Sequence, residues 1–286
     1  MRLLVTGADG QLGSELLRAA DGHFEIVGLT IDDLNVTEKT AIEQSFARVS
    51  PAVVINCAAY TAVDGAEKDK DTAFKVNEGG TRNVAQACAD HNIPLIHIST
   101  DFVFDGKKNL PYKEDDETNP LGVYGASKLA SEEAAFESHS RCVVIRTSWL
   151  YSAFGSNFAR TMLRLGREKD KINVVEDQLG RPTSAKDLAA IMLELVEKHE
   201  FESNVLYHFS NDGIASWYDF AQAVIDLAGL NTPVIPITSE EFVTPAKRPR
   251  YSCLDLHKIH SHFNLPRRHW RHALEDTMSE LREQNL

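Results

Sequence analysis

The stretch MRLLVTGADGQLG, residues 1–13, decides the fold. An apolar run, Arg2 to Gly7, has the character of a strand covered on both faces. It passes at once into a turn with glycines at 7, 10 and 13, and then into an amphipathic stretch, QLGSELLRAA (11–20). A strand–glycine turn–helix unit lets backbone approach a pyrophosphate seated against the helix N-terminus. The spacing is G-x-x-G-x-x-G rather than G-x-G-x-x-G. Taken alone, the turn is compatible with a tight bend that binds nothing. Its position directly behind a buried-type strand favours dinucleotide binding, with Gly7, Gly10 and Gly13 as the cofactor-binding glycines.

Outward from this unit the chain alternates apolar runs with amphipathic ones. Strands are expected at RLLVTG (2–7), EIVGLT (25–30), AVVINCAA (52–59), PLIHIST (94–100), RCVVIRTSW (141–149) and KINVVE (171–176). Helices are expected at 11–20, 37–49, 77–91 and from Tyr124 onward. This is the pattern of βαβ units. The fold class is α/β: a doubly wound (Rossmann-type) parallel sheet with a smaller mixed α/β C-terminal substrate lobe. Residues 1–150 are expected to form the dinucleotide-binding domain, with a later segment, about 185–212, returning to it. Residues 151–286 then supply most of an interleaved sugar-nucleotide lobe. There NFARTMLRLG, AKDLAAIMLELVEKH and SWYDFAQAVIDLAG read as helices, the last capped by Ser216 with Asp219 three residues on. LYHFS and PVIPIT read as short extended pieces among these helices.

Composition narrows the function classes. With 286 residues, 43% hydrophobic and 25% charged, the chain is an ordinary globular one. No apolar run reaches the ~20 residues of a membrane span, and the N-terminus lacks the pattern of a signal peptide. The four cysteines are scattered, as in a cytoplasmic protein with reduced thiols. A net charge of −12 argues against nucleic acid as partner. The densest basic cluster is PAKRPR, where Lys247, Arg248 and Arg250 lie together; Arg248 is a candidate to reach a phosphate-bearing ligand, and Arg181 a weaker one. The histidines of the C-terminal region (257, 260, 262, 269, 272) have no cysteine or carboxylate pattern that completes a zinc tetrahedron. Trp217 and Tyr218 read as core residues of a helix.

The reacting centre is sought where open α/β sheets bind ligands, at the C-terminal ends of strands. IHISTDFVFDG (96–106) puts Thr100 and Asp101 there. Twenty-four residues later, YGASK places Tyr124 and Lys128 on one face of a helix. A carbonyl reduction needs a hydride donor, a proton donor and a hydrogen bond to the carbonyl oxygen. Tyr124 can supply the proton and Thr100 the hydrogen bond. A nearby Lys128 ammonium is expected to lower the tyrosine pKa from its ordinary ~10. After the second strand come Thr30, Asp32 and Asp33, with no arginine close. Neither NAD nor NADP is singled out, and use of either is expected.

Together these segments, with VVINCAAYTAVDGAE, RTSWLYSAFGSNFARTMLRL, VVEDQLGRPTSAKDLA and TPAKRPRYSCLDLHKI, resemble the extended short-chain dehydrogenase/reductase superfamily and, within it, the dTDP-4-dehydrorhamnose reductase family. The resemblance implies NADPH- or NADH-dependent reduction of a 4-keto sugar-nucleotide in dTDP-rhamnose biosynthesis for cell-surface polysaccharide. It makes Tyr124, Lys128 and Thr100 catalytic, and has Gly10, Gln11 and Leu12 meet the pyrophosphate. Asp33 and Leu34 would lie near the adenine, and Ala58, Ala59 and Tyr60 along the cofactor. Thr100, Asp101 and Trp149 would contact the sugar-nucleotide. Some members of the family are homodimers bridged by magnesium through glutamates. Glu15 could be one such ligand, but Lys186 stands where a second glutamate is expected, so no structural metal is expected here. The alternatives are a related 4-keto sugar-nucleotide reductase or epimerase, or a non-catalytic NADP-binding subunit like the regulatory subunit of methionine adenosyltransferase.

Overall fold

The computed structural model describes residues 1–20, 22–198 and 201–284. Its main sheet has six strands, labelled here in chain order: β1 Arg2–Thr6, β2 Glu25–Leu29, β3 Val53–Asn56, β4 Leu95–Thr100, β5 Cys142–Thr147 and β6 Val205–His208. The spatial order is β2-β1-β3-β4-β5-β6, and every pairing is parallel. The order reverses between β1 and β3, so the crevice lies above the ends of β1, β3 and β4.

The strands form where Val, Ile and Leu run without polar alternation, because helices cover both faces. One face packs Leu3, Val5, Ile55, Ile96, Val143 and Ile145 against the helices Gln11–Arg18 and Ala185–Lys198. The other packs Leu4, Val54, Leu95 and Val144 against the helices Lys39–Val49 and Thr81–Asp90. A third cluster is the second lobe's own core, where Phe220, Val224, Trp270 and Leu274 join Tyr151, Leu163 and Ile172. The capping box at Ser216 and Asp219 starts the helix Trp217–Ala228.

Three expectations about the strands are corrected. KINVVE is a strand, Ile172–Val175, but it pairs with Val234–Ile237 outside the main sheet. The sixth main strand is instead Val205–His208, which overlaps LYHFS within the segment, about 185–212, expected to return to the first domain. Tyr207 and His208 are fully buried in it. RCVVIRTSW also stops earlier than expected, at Thr147, and Trp149 takes a left-handed φ of 48°.

The helical region before Asp90 begins earlier than residue 77. Short helices at Val63–Ala66 and Lys70–Phe74 lead into a π-helical turn, Lys75–Gly80, that continues as Thr81–Asp90. Such turns have no composition signal and often mark functional sites. This one brings buried Asn77 to Ser127 (2.9 Å), whose hydroxyl donates to the Tyr124 carbonyl (2.8 Å).

Candidate active site

A cleft of about 870 Å³ opens above the strand ends and between the lobes. Its floor is the glycine turn. Gly7 has a φ of 62°, and a Cβ on Gly13 would stand 2.4 Å from the Gly7 carbonyl oxygen. Only glycine allows this path, which the Gly10 N–H closes by donating to Gly7 O at 3.1 Å. Gln11 and Leu12 follow on the first helical turn and also line the cleft, as do Leu34, Ala58 and Ala59. Asp33 and Tyr60 do not line it. The Asp33 carboxylate accepts from the Thr30 backbone N–H and hydroxyl (3.1 and 2.9 Å), which hold its pKa below the ordinary value.

Thr100, Asp101, Tyr124 and Lys128 converge on the opposite wall. The helix Val123–Ser138 carries the last two. Its first N–H, from Val123, donates to Glu67 at 2.8 Å, and a Cβ on Gly125 would meet the Phe102 carbonyl at 2.2 Å. The helix therefore sits as close to the turn after β4 as a glycine permits, which brings Tyr124 to Thr100. Thr100 accepts from the Phe102 N–H (3.2 Å) and donates to Asp101 (3.1 Å). Burial pushes the Asp101 carboxyl up to about 7 against the hydrogen bonds of Ser252 and Thr100.

The expected tuning of the tyrosine is not what the geometry gives. Burial pushes Tyr124 up to about 12, opposed by its hydrogen bond with Thr100 and reinforced by Asp101. The Lys128 ammonium is not among the groups that shift the phenol: its Nζ donates one hydrogen bond to the Ile98 carbonyl at 2.6 Å. Burial lowers Lys128 itself to about 8, with Glu132 and Cys57 opposing. One turn of helix puts both side chains on one face, but the carbonyl at the end of β4 competes for the ammonium, and sequence spacing cannot register that.

The second lobe supplies the remaining wall. Trp149 and Trp217 stack with centroids 3.5 Å apart and 6° between planes, and both line the cleft with Phe158. Trp217 is thus a cleft residue and not simply a core one; its place at a helix start hid this. Thr147, at the end of β5 opposite Thr100, was also missed, although the strand-end rule that picked out Thr100 applies to it equally.

Arg248 lines the cleft but is engaged. It forms a two-pronged pair with Asp64 (2.8 and 3.2 Å) and also donates to Thr244 and Ala246. This pair ties the loop that carries Arg248 to the short helix Val63–Ala66. Arg181 pairs with Asp212 at 3.1 Å.

The walls fit a polar, extended ligand. Gln11 Oε1, Asp101 Oδ2 and Thr147 Oγ1 are buried, lack hydrogen-bond partners and all belong to cleft-lining residues. Such atoms are costly unless a ligand or water meets them. The glycine floor leaves backbone room for a pyrophosphate, so the residues present fit a dinucleotide.

They do not fit a divalent metal at Glu15. Glu15 is 2.5 Å from Arg18 and accepts from Ser152 at 2.8 Å. Glu280, the nearby carboxylate, is paired with Arg18 (2.5 Å) and Lys186 (2.7 Å). Two cations already neutralise two carboxylates, where magnesium needs free oxygen ligands. Among the described residues no group of three or more His, Cys, Asp or Glu could hold a metal, and no helix is long and apolar enough to cross a membrane.

Comparison with known proteins agrees with this architecture. A family model described as the RmlD substrate binding domain matches residues 1–283. The dTDP-4-dehydrorhamnose reductase of Aggregatibacter actinomycetemcomitans is 41% identical, over 96% of this chain and 97% of its own. The spore coat polysaccharide biosynthesis protein SpsK of Bacillus subtilis is 40% identical, over 98% and 97%. Among solved structures, the dTDP-4-dehydrorhamnose reductase of Bacillus anthracis in complex with NADP superposes with a TM-score of 0.94 at 38% identity, covering 98% of this chain and 99% of that one. By the whole-length match and the shared fold, the chain belongs to the RmlD substrate binding domain family, that of the dTDP-4-dehydrorhamnose reductases.

Proposed function

We propose that the chain reduces the 4-keto group of dTDP-4-dehydrorhamnose to give dTDP-L-rhamnose, using NADPH or NADH. The observation that carries the reading is the convergence of Tyr124 and Thr100 on one wall of a cleft whose floor is a glycine-turn cradle. When bound, the reduced nicotinamide supplies the hydride. Gln11 and the backbone of the glycine turn hold the pyrophosphate at the helix N-terminus. Thr100 orients the sugar carbonyl through its hydroxyl. Tyr124 keeps its proton throughout the neutral range, since burial holds its pKa high, and releases it to the carbonyl oxygen as negative charge builds there. Lys128, beside that oxygen's path, anchors the cofactor end of the site. Trp149 backs the sugar, and Trp217 backs Trp149.

The test is NADPH and NADH oxidation by the purified protein with dTDP-4-dehydrorhamnose and with other 4-keto sugar-nucleotides. Tyr124→Phe should lower turnover by ~10²–10⁴-fold, the usual share of a general acid, while cofactor binding persists. Wild-type turnover in that variant would overturn the assignment. NAD retained through purification without net reductant consumption would point to an epimerase instead.

A further inference from the structure

Beneath the cleft, a buried file of polar side chains crosses β1, β3 and β4 and ends on the catalytic helix. Its donor and acceptor roles can be settled by counting protons. Thr6 Oγ1 accepts the Ala58 N–H at 3.2 Å, so its own proton is free to go to Asn56 Oδ1, 2.6 Å away. That fixes the Asn56 amide, whose Nδ2 then donates to His97 Nδ1 at 3.2 Å. With Nδ1 an acceptor, the imidazole proton sits on Nε2 and is donated to Ser131 Oγ at 2.9 Å. Ser131 in turn donates to the Lys128 backbone carbonyl at 2.6 Å. Every member is buried, and each proton in this direction has an acceptor. The reverse direction, with the proton on His97 Nδ1, turns Asn56 over. The Thr6 hydroxyl would then receive two donors and have no acceptor for its own proton, leaving a buried donor unsatisfied.

This polarity bears on Lys128. Its Nζ lies 3.4 Å from His97 Nε2, the nitrogen that carries the proton. The imidazole thus meets the ammonium with a donor, not an acceptor. The groups facing Lys128 are His97 from β4, Glu132 from its own helix and Cys57 from the segment after β3. Of the protein oxygens around it, the Ile98 carbonyl takes one N–H, and the other N–H directions are left to the cleft.

We propose that His97 is a positioning residue: held as the neutral Nε2–H tautomer by Asn56, it denies Lys128 an inward acceptor, fixes its helical turn through Ser131, and so aims the ammonium into the cleft. The proposal rests on the role assigned to Lys128 in the reading above, but its first test does not depend on activity. In ¹⁵N-resolved spectra of the full chain, His97 should show a protonated Nε2 and an unprotonated Nδ1, unchanged across the range where free imidazole (pKa ~6.5) titrates. A protonated Nδ1, or titration in that range, would overturn it.

The second test is kinetic. His97→Leu should lower kcat about tenfold or more. His97→Gln, whose amide can still donate to Ser131, should recover most of that loss. Ser131→Ala removes the next link without emptying the core and should reproduce part of the defect should the leucine variant not fold. Wild-type kcat in both His97→Leu and Ser131→Ala would also overturn the proposal. Absence of reductase activity in the wild type, with the tautomer as expected, would instead count against the reaction assigned above and leave the arrangement of His97 standing.

Discussion

Glu132→Ala is the substitution whose cost the structure specifies most closely. Glu132 lies one turn beyond Lys128 on the catalytic helix. Its carboxylate accepts from Arg146 Nε (2.8 Å) and Nη2 (2.7 Å) on β5, and from the Ser99 hydroxyl on β4. The two ionic side chains are only 4% and 5% exposed. The other groups near the guanidinium are uncharged: the Phe104 ring at 5.1 Å, and His208, which burial and Arg146 itself hold neutral with a pKa of about 3. Alanine therefore leaves a buried cation without its anion, a loss of ~3–5 kcal/mol. At ~2–4 °C per kcal/mol for chains of about this size, the unfolding midpoint should fall by roughly 6–20 °C. Circular dichroism melts at neutral pH measure this. Glu168→Ala serves as the control, because its pair with Arg164 is half exposed and worth less than ~1 kcal/mol. The double variant Glu132→Ala/Arg146→Met should regain most of the loss, since it removes the stranded charge. A Glu132→Ala shift no larger than that of Glu168→Ala would refute the reasoning.

Two further outcomes follow from the second lobe and the Glu15 cluster. Trp217→Ala removes the ring stacked on Trp149, a contact worth ~0.5–1.5 kcal/mol, so KM for the sugar-nucleotide should rise roughly 2- to 12-fold with cofactor affinity unchanged; an effect on cofactor affinity alone would contradict the placement of this wall. Chelators and added magnesium should both leave the wild-type melting temperature unchanged, whereas Lys186→Glu, which exchanges an ammonium beside Glu280 for a third carboxylate, should make that temperature rise with magnesium. Stabilisation of the wild type by magnesium would show that the Arg18 and Lys186 cations do not close the site.

What could be read from the sequence was what short range determines. The run from Arg2 to Gly13 carries its own strand, turn and helix start, because the glycines answer to backbone constraints within one unit. Tyr124 and Lys128 share a helix face by spacing alone. The failures come from contacts made at long range. Val205–His208 pairs with β5, some sixty residues earlier, and only that pairing distinguishes it from an isolated extended piece. Ile172–Val175 has the same apolar look and lies in another sheet. Lys128 turns to Ile98, Arg248 to Asp64, and Trp217 to Trp149, each a choice of partner that local pattern does not encode. The histidine-rich tail divides similarly: His260 is buried against the Leu265 carbonyl, and His269 caps the helix Trp270–Glu283.

Asp101 joins stability to chemistry through one proton. It is buried, and burial raises its pKa to about 7, against ~3.9 in an unfolded chain. Between these values the folded state holds a proton that the unfolded state has released. The contribution of Asp101 to stability must therefore fall as pH rises from ~4 to ~7 and level off above, the reverse of a salt-bridged carboxylate. Asp101→Asn cannot ionise, so its urea midpoint should exceed the wild type's by a margin that grows across this window and is largest at the alkaline end. Parallel slopes for the two proteins would show that Asp101 ionises as freely folded as unfolded. The same proton governs what Thr100 can do. Its hydroxyl accepts from the Phe102 N–H and donates to Asp101, so it has no proton left for a substrate carbonyl while Asp101 claims it. Protonated, Asp101 can act as the donor in that pair and leave the Thr100 proton directed at the cleft. An asparagine can donate in the same way at every pH, which makes the pH dependence of turnover in Asp101→Asn a direct readout of whether Thr100 depends on its neighbour.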